Sequence, residues 1–155
     1  MSNVFKDLII FEMANNHQGD VQHGIAIIRK LGEAAAKYGI NAAVKFQYRD
    51  LDTMIHPEFK DRTDVKHIPR FMSTRLDRDQ FYQMVAAAQE AGLKTMCTPF
   101  DEASVDVIMD HGIEIIKVAS CSAVDWPLLE KIAETKRAIF RTASGTALLE
   151  SIFGV

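Results

Sequence analysis

Two lysines lie within apolar runs of this sequence, and their positions require a chemical explanation. Lys45 interrupts the run AAVKFQ, and Lys117 interrupts the run IIKVA. An ammonium group turned into an apolar layer loses its hydration without compensation, whereas at the open end of a sheet it stays hydrated or binds an anion. Hydroxyl groups occur near the ends of neighbouring runs, at Thr98 and Ser120. Together these ammonium and hydroxyl groups predict a binding site for a ligand that carries a phosphate and a carboxylate group.

A carboxylate also follows the first apolar run, in the stretch FEMANNHQGD after Leu8 to Ile10. We expect Glu12 to face the two ammonium groups. The pattern leaves two structural alternatives open. Lys45 and Glu12 can form a structural ion pair, and Asn16 and His17 can be helix-cap or turn residues instead of catalytic ones.

The elements that must position these groups follow a repeated order of helix, glycine and apolar strand. This order is typical of parallel βα units. Strands are predicted near residues 7–13, 41–47, 94–99, 114–119 and 138–142, with a fifth helix beginning at Thr146. A doubly wound sheet and a TIM barrel both fit the order, but the first βα turn has no GxGxxG, which disfavours dinucleotide binding. In either architecture, ligands bind at the carboxyl ends of the strands.

One connection departs from this order. Residues 48–78 form a long connection that contains Pro57 and Pro69, with seven Lys or Arg and six Asp or Glu whose charges nearly cancel. Connections of this length are functional or disordered. We interpret the segment as a lid or substrate loop, with a solvated linker as the alternative.

Composition excludes several classes of protein. The 155 residues are 48% hydrophobic and 25% charged, with a net charge of −3. These values are typical of a globular domain and give no reason to expect nucleic acid or a membrane as a partner. Cys97 and Cys121 are in no CxxC spacing, so we expect packing roles and a cytoplasmic protein. The five histidines form no metal-binding pattern.

Four motifs resemble the N-acetylneuraminate (sialic acid) synthase family over nearly the whole chain. They are EMANNHQG from Glu12, VKFQ from Val44, CTPF from Cys97 and KVAS from Lys117. The resemblance implies a TIM-barrel catalytic domain. It also implies condensation of phosphoenolpyruvate with an amino sugar or its phosphate, with release of phosphate and with Mn²⁺ or Mg²⁺ as cofactor.

The resemblance also implies roles for individual residues. Lys117 would bind the phosphate of phosphoenolpyruvate with Thr98 and Ser120, and Lys45 would lie near its carboxylate. Glu12 would lie close to the tetrahedral intermediate, and Gln47 would line the sugar site. Thr142 would replace a serine that binds the phosphate in the family. The family's metal-binding histidines lie beyond the matched motifs, so no metal ligand is assigned to this chain.

Two departures from the family pattern affect the functional prediction. Ser122 lies where the family has an acid/base glutamate, and a serine cannot transfer that proton near neutral pH without a neighbouring base. A TIM barrel typically needs about 250 residues, so we expect a partial barrel, truncated over residues 1–155, that self-associates to cover its inner face. The sequence thus favours a phosphoenolpyruvate-dependent synthase. The alternatives are an inactive partial barrel that binds anions or a partner chain, and another phosphate-binding barrel enzyme.

Overall fold

The structure, a computed structural model, describes residues 4–141 and consists of one parallel sheet with helices on one side. The strands are β1 (Ile9–Glu12), β2 (Ala42–Tyr48), β3 (Lys94–Pro99), β4 (Ile115–Val118) and β5 (Ala138–Arg141). They are hydrogen-bonded in the order β1-β2-β3-β4-β5, and every neighbouring pair is parallel. A doubly wound sheet reverses its strand order at a switch point. The described strands have no such reversal, which favours the barrel.

Between residues 4 and 141 the helices alternate with the strands as the sequence predicts. They are α1 (Val21–Tyr38), α2 (Leu51–Met54), α3 (His67–Ser73), α4 (Arg78–Glu90), α5 (Glu102–Asp110) and α6 (Trp126–Glu134). The four longer helices that pack on the sheet each begin with an aspartate whose carboxylate accepts backbone N–H groups of the first turn: Asp20, Asp77, Asp101 and Asp125. These caps fix where each helix begins after its strand and loop.

The helices cover one face of the sheet, which we call the outer face. Every second strand residue, such as Val44, Phe46 and Ile116, belongs to a buried cluster with apolar residues of α1, α4, α5 and α6. The alternate strand residues point the other way because successive side chains in a strand occupy opposite faces. We call that second face the inner face, since it corresponds to the interior of a barrel.

The amino-terminal part of the inner face is apolar and packed. Ala43, Met96 and Ile115 are fully buried there, and partly buried Phe5 and Phe140 pack against them. Lys45, Thr98 and Lys117 each follow one of these apolar residues by two positions, so on the same face they lie nearer the carboxyl ends of the strands.

The long connection predicted over residues 48–78 contains secondary structure that the sequence analysis did not predict. Helices α2 and α3 and the 3₁₀ turn Pro57–Phe59 lie within it, and α4 begins at its last residue. Asn15 of the loop after β1 donates a side-chain hydrogen bond to Thr74 Oγ1 in this segment at 2.9 Å. This contact disfavours a solvated linker.

The fifth predicted helix lies outside the described residues. Among residues 4–141, no helix has the length and apolar character needed to cross a membrane.

Candidate active site

Five of the predicted site residues lie on the inner face. Glu12 is in register with Lys45, Lys45 with Met96, and Gln47 with Thr98. Residues in register on parallel strands point to the same side of the sheet, and Met96 is also in register with Ile115. Lys117, two residues after Ile115, therefore has its side chain on the same face as Lys45. The expectation that the two lysines share one side of the sheet is met.

Lys45 is buried and forms an ion pair with Glu12, and its side chain is 8% exposed against 46% for Glu12. The ion pair that the sequence left open as an alternative is thus present. Its existence does not exclude a role in catalysis, because Glu12 is the last residue of β1 and its side chain stays 46% exposed. One exposed counterion only partly neutralises the charge of a buried cation. An anionic ligand would therefore bind favourably next to Lys45.

Lys117 is half-buried and has no carboxylate within ion-pair distance among the described residues. Burial lowers the pKa of the Lys117 ammonium, and the positive charge of Lys45 lowers it further, while Glu12 acts in the opposite direction. The interaction places the two ammonium groups within electrostatic reach of each other. Two adjacent cations with one carboxylate leave a net positive charge at this point of the inner face.

Thr98 adds an unsatisfied hydroxyl to the same region. The residue is 2% exposed, and its Oγ1 has no hydrogen-bond partner among residues 4–141. A buried hydroxyl without a partner costs roughly 1–3 kcal/mol. A ligand oxygen that accepts a hydrogen bond from Thr98 would recover this free energy.

The serines after β4 occupy a 3₁₀ turn, Ser120–Ser122, directly past the strand end. Ser120 is exposed, whereas Ser122, at the family's glutamate position, is buried and lies with its Oγ 4.0 Å from Cys121 Sγ. Cys121 is exposed, so its expected packing role is wrong, while Cys97 is fully buried as expected. Thr142, the last of the predicted site residues, lies outside the described residues.

Asn16 and His17 are turn residues of the loop after β1. Asn16 Nδ2 donates to the carbonyl of Glu12 at 3.2 Å, and His17 Nδ1 accepts the N–H of Gly19 at 3.1 Å. Burial lowers the pKa of the His17 imidazole, and the charge of His23 lowers it further. The His17 ring is 2% exposed and stabilises the loop, which favours the structural alternative.

Gln47 lines a cleft between the strand ends and the long connection. The cleft encloses about 330 Å³ including its opening to solvent, and Asn15, Arg49, Phe71 and Thr74 are among the residues that line it. Arg49 Nη2 donates to Gln47 Oε1 at 2.5 Å. The sequence analysis did not identify Arg49. A signal was available, since Arg49 follows Lys45 and Gln47 at the same two-residue spacing, directly after β2 ends at Tyr48.

A metal site is not formed by the residues that the structure describes. No group of three or more His, Cys, Asp or Glu side chains in residues 4–141 is arranged to hold an ion. The residues present therefore do not fit the Mn²⁺ or Mg²⁺ that the resemblance implies, and we derive no chemical step through a metal.

Comparison with protein families identifies one match. The model described as the NeuB family matches residues 31–153. A curated relative from Campylobacter jejuni, N,N'-diacetyllegionaminic acid synthase, is 30% identical, and the alignment covers 95% of this chain and 45% of that protein. The chain spans 36% to 45% of the length of the first curated relatives that it matches.

Two solved structures have the same arrangement of strands and helices. The crystal structure described as spore coat polysaccharide biosynthesis protein E from Chromobacterium violaceum is 47% identical, with a TM-score of 0.89 over 96% of this chain and 45% of that chain. The N-acetylneuraminic acid synthetase from Leptospira borgpetersenii, in complex with citrate, is 23% identical, with a TM-score of 0.77 over 96% of this chain and 50% of that one. At that identity, the second structure supports the fold alone.

Proposed function

Because this chain belongs to the NeuB family, we propose that it forms the phosphoenolpyruvate-binding part of a synthase that condenses phosphoenolpyruvate with an amino sugar and releases phosphate. The family resemblance and the half-barrel fold expected from the sequence are confirmed. The synthase activity, its substrates and the roles of individual residues are our proposal.

One observation carries this proposal: two ammonium groups lie on the inner face, with one carboxylate beside Lys45. Lys45 pairs with Glu12, and the charge of Lys45 lowers the pKa of Lys117 after the larger effect of burial. Phosphoenolpyruvate carries about three negative charges, so it suits a site with a net positive charge and a Thr98 hydroxyl that has no partner among residues 4–141.

In the proposed mechanism these residues bind and orient phosphoenolpyruvate. Lys117, Thr98 and Ser120 bind the phosphate, Thr142 contributes a hydroxyl, and Lys45 binds the carboxylate. The C3 atom attacks the aldehyde carbon of the sugar, water adds to C2, and the C–O bond to phosphate breaks. Fixed cations lower the barrier by positioning the anion before the reaction.

Glu12 and Gln47 act at the two ends of the forming bond. The carboxylate of Glu12 stabilises the positive charge that develops at C2, and the amide of Gln47 contacts the sugar. No residue of this site is assigned to the metal that the family resemblance implies.

Calorimetric titration with phosphoenolpyruvate tests the binding role. Replacement of Lys117 by alanine should weaken binding by about 1.5–3 kcal/mol, the range for a hydrogen bond to a charged group, which is roughly ten- to a hundredfold. Lys131→Ala is the matched control, because Lys131 Nζ pairs with Asp106 at 2.8 Å on the helical layer. Equal affinities in the three proteins would refute the phosphate role of Lys117.

An inactive partial barrel that binds anions or a partner chain remains the alternative function. Phosphate release distinguishes the inactive barrel from the synthase. It is measured after the protein is incubated with phosphoenolpyruvate, Mn²⁺ and a panel of amino sugars. Release with at least one sugar supports the synthase. Retained phosphoenolpyruvate binding without release from any sugar supports the inactive barrel.

Two further parts of the proposal concern the protein's surroundings. Free thiols at Cys97 and Cys121 support the expected cytoplasmic setting. Strands β1 and β5 each have one hydrogen-bonded neighbour among the described strands, and such edges favour association between copies of the chain.

A further inference from the structure

The guanidinium of Arg49 is held in place by contacts from three segments of the chain. It packs 4.5 Å from the ring centroid of Phe71 in α3 and 4.0 Å from that of Phe100, which follows β3. Its Nη2 donates a hydrogen bond to Gln47 Oε1 of β2 at 2.5 Å. Its Nε is buried without a hydrogen-bond partner among residues 4–141. Because aromatic rings and burial hold the guanidinium, the position of its Nη2 donor is set before any ligand binds.

This hydrogen bond determines which way the Gln47 amide is turned. A guanidinium carries hydrogen-bond donors and no acceptor, so the amide that bonds to it must present its oxygen. With Oε1 turned to Arg49, the Nε2 group of Gln47 points away from the guanidinium. No residue in the described part of the chain bonds to Nε2. Both amide hydrogens therefore remain available to a ligand.

The free amide hydrogens belong to the same region as the hydroxyl of Thr98. Gln47 lines the cleft at the strand ends and is in register with Thr98 on the neighbouring strand. Thr98 Oγ1 also has no partner among residues 4–141. Neighbouring strands thus supply two groups on the inner face that can donate hydrogen bonds, and such groups match ligand atoms that accept them.

We propose that Arg49 is a positioning residue that keeps the Gln47 amide turned so that Nε2 donates to an oxygen of the bound substrate. Arg49 acts through Gln47, and the group that touches the substrate is the amide. The recognised atom is a hydrogen-bond acceptor of phosphoenolpyruvate or of the amino sugar. This inference rests on the proposed function, since that proposal supplies the two substrates.

NMR of the ¹⁵N-labelled, unmutated protein tests the contact and identifies its source. The side-chain NH₂ resonances of Gln47 are assigned by their absence from the spectrum of Gln47→Glu. Phosphoenolpyruvate is added first, followed by N-acetylmannosamine or another amino sugar of the panel, with EDTA present to suppress turnover. A shift with phosphoenolpyruvate alone assigns the acceptor oxygen to it, and a shift that requires the sugar assigns it to the sugar.

Two substitutions of Gln47 test whether the amide donates. Gln47→Met removes the donor without adding charge and should weaken binding of the ligand that shifts the resonances by about five- to tenfold. Gln47→Glu keeps an oxygen for Arg49 but replaces the donor by an acceptor, so it should weaken binding at least as much without lowering the thermal unfolding midpoint. Gln89→Glu is the matched control, because Gln89 is exposed near the end of α4, and its affinity should equal that of the unmutated protein.

Two substitutions of Arg49 test the positioning role. Arg49→Met keeps an unbranched side chain beside the two rings but cannot donate to Gln47, so the amide loses its fixed orientation. Affinity for the same ligand should fall by about two- to fivefold, the cost of ordering one side chain on binding. Arg49→Lys restores a donor and should recover part of that loss. Thermal unfolding of both variants is the control, since a purely structural Arg49 would lower stability without rescue of affinity by lysine.

The outcomes separate this inference from the proposed function. Gln47 resonances that move with neither phosphoenolpyruvate nor any sugar, while phosphoenolpyruvate binds, overturn the inference alone. Full affinity in Gln47→Met also overturns it, because a loss confined to Gln47→Glu would then reflect charge. If Arg49→Met binds as tightly as the unmutated protein, Arg49 does not position the amide. Absence of phosphoenolpyruvate binding to the unmutated protein overturns the proposed function itself.

Discussion

Lys45 and Lys117 carry the same charge on the same face but differ in their partners. Lys45 is buried against Glu12, whereas Lys117 is half-buried without a carboxylate at ion-pair distance among the described residues. A paired lysine contributes to the folded state before any ligand binds, while an unpaired one keeps its charge available for an anion. In the proposed site both lysines bind phosphoenolpyruvate, and Lys45 also contributes an ion pair to the folded state.

The lowered pKa of Lys117 predicts a pH dependence of ligand binding. Burial, then the charge of Lys45, lowers this pKa, so the ammonium loses its proton at a lower pH than a free lysine. Phosphoenolpyruvate affinity should fall as the pH rises through the lowered pKa, and binding in that range should take up protons because the anion favours the charged form. Calorimetry in buffers of different ionisation enthalpy measures the uptake.

Lys117→Arg provides the control for this pH dependence, because arginine stays protonated across the range. The variant should bind phosphoenolpyruvate with an affinity that no longer falls in that range. If the pH profiles of the two proteins coincide, Lys117 is not the titrating group.

Neutralising Glu12 should have opposite effects on binding and on turnover. Glu12→Gln removes a negative charge next to the proposed phosphoenolpyruvate site, so ground-state affinity should rise several-fold. Turnover should fall by tenfold or more, because the cationic C2 loses its counterion. Titration calorimetry and phosphate release measure the two quantities. A loss of both in parallel would indicate that Glu12 serves structure alone.

Much of the site's placement could be predicted from the sequence at the level of single residues. The two-residue alternation of a strand assigns Lys45 and Gln47 to one face, and the spacing of apolar runs brings Lys117 to the same end of the sheet. That Thr98 has no hydrogen-bond partner within the described part of the chain, and that two aromatic rings flank Arg49, follows from how residues distant in the chain pack together. Local patterns do not contain that information.

At the scale of elements, the loop after β1 and the long connection form one unit beside the cleft. Asn15 bonds to Thr74, and Gly19 approaches the backbone so closely that a Cβ would lie 2.9 Å from the Ser73 carbonyl oxygen. Gly19 also has φ of +77°, in the region that favours glycine. The two segments can therefore pack together because this position lacks a side chain.

Gly19→Ala should separate these segments. The added methyl group meets backbone that cannot easily move, so we expect a loss of about 1–3 kcal/mol in unfolding free energy and weaker binding of ligands in the cleft. Gly39→Ala is the control, because Gly39 also has a positive φ, +62°, with no atom near its would-be Cβ. Its cost should be limited to about 1 kcal/mol. Chemical denaturation measures the unfolding free energy of both variants. Equal losses in the two variants would argue against close packing at Gly19.

The elements that the sequence predicted and those it missed differ in their local signals. α4 begins with a capping box in which Asp77 and Gln80 bond reciprocally, and α1 ends at a glycine with a positive φ. α3 has no side-chain cap, contains Pro69 and buries none of its residues fully. α2 is capped by Asp50 but is only four residues long. A helix that is this short, or that has no cap, depends on tertiary contacts, so the sequence indicated a loop there.

At the scale of the whole molecule, strand order was the feature that sequence patterns could not supply. Helix and strand periodicity are identical in a doubly wound sheet and in a barrel. The sequential order β1 to β5 and the helices on one face identify the barrel type. The arrangement also brings every described strand's carboxyl end to one rim, which is why residues from several strands meet.

The edge strands predict self-association of this chain. β1 is paired on one side among the described strands, and Ile9 within it is 47% exposed. An exposed edge with apolar side chains pairs readily with another chain, and a lysine placed there opposes pairing.

At micromolar concentration, light scattering should give a mass above the 17.4 kDa of one chain, and Ile9→Lys should lower that mass. Tyr38→Lys is the control, since Tyr38 is 67% exposed and belongs to α1, not to an edge strand. A monomer that binds no hydrophobic dye would show that the edges and the inner face are already covered within one chain.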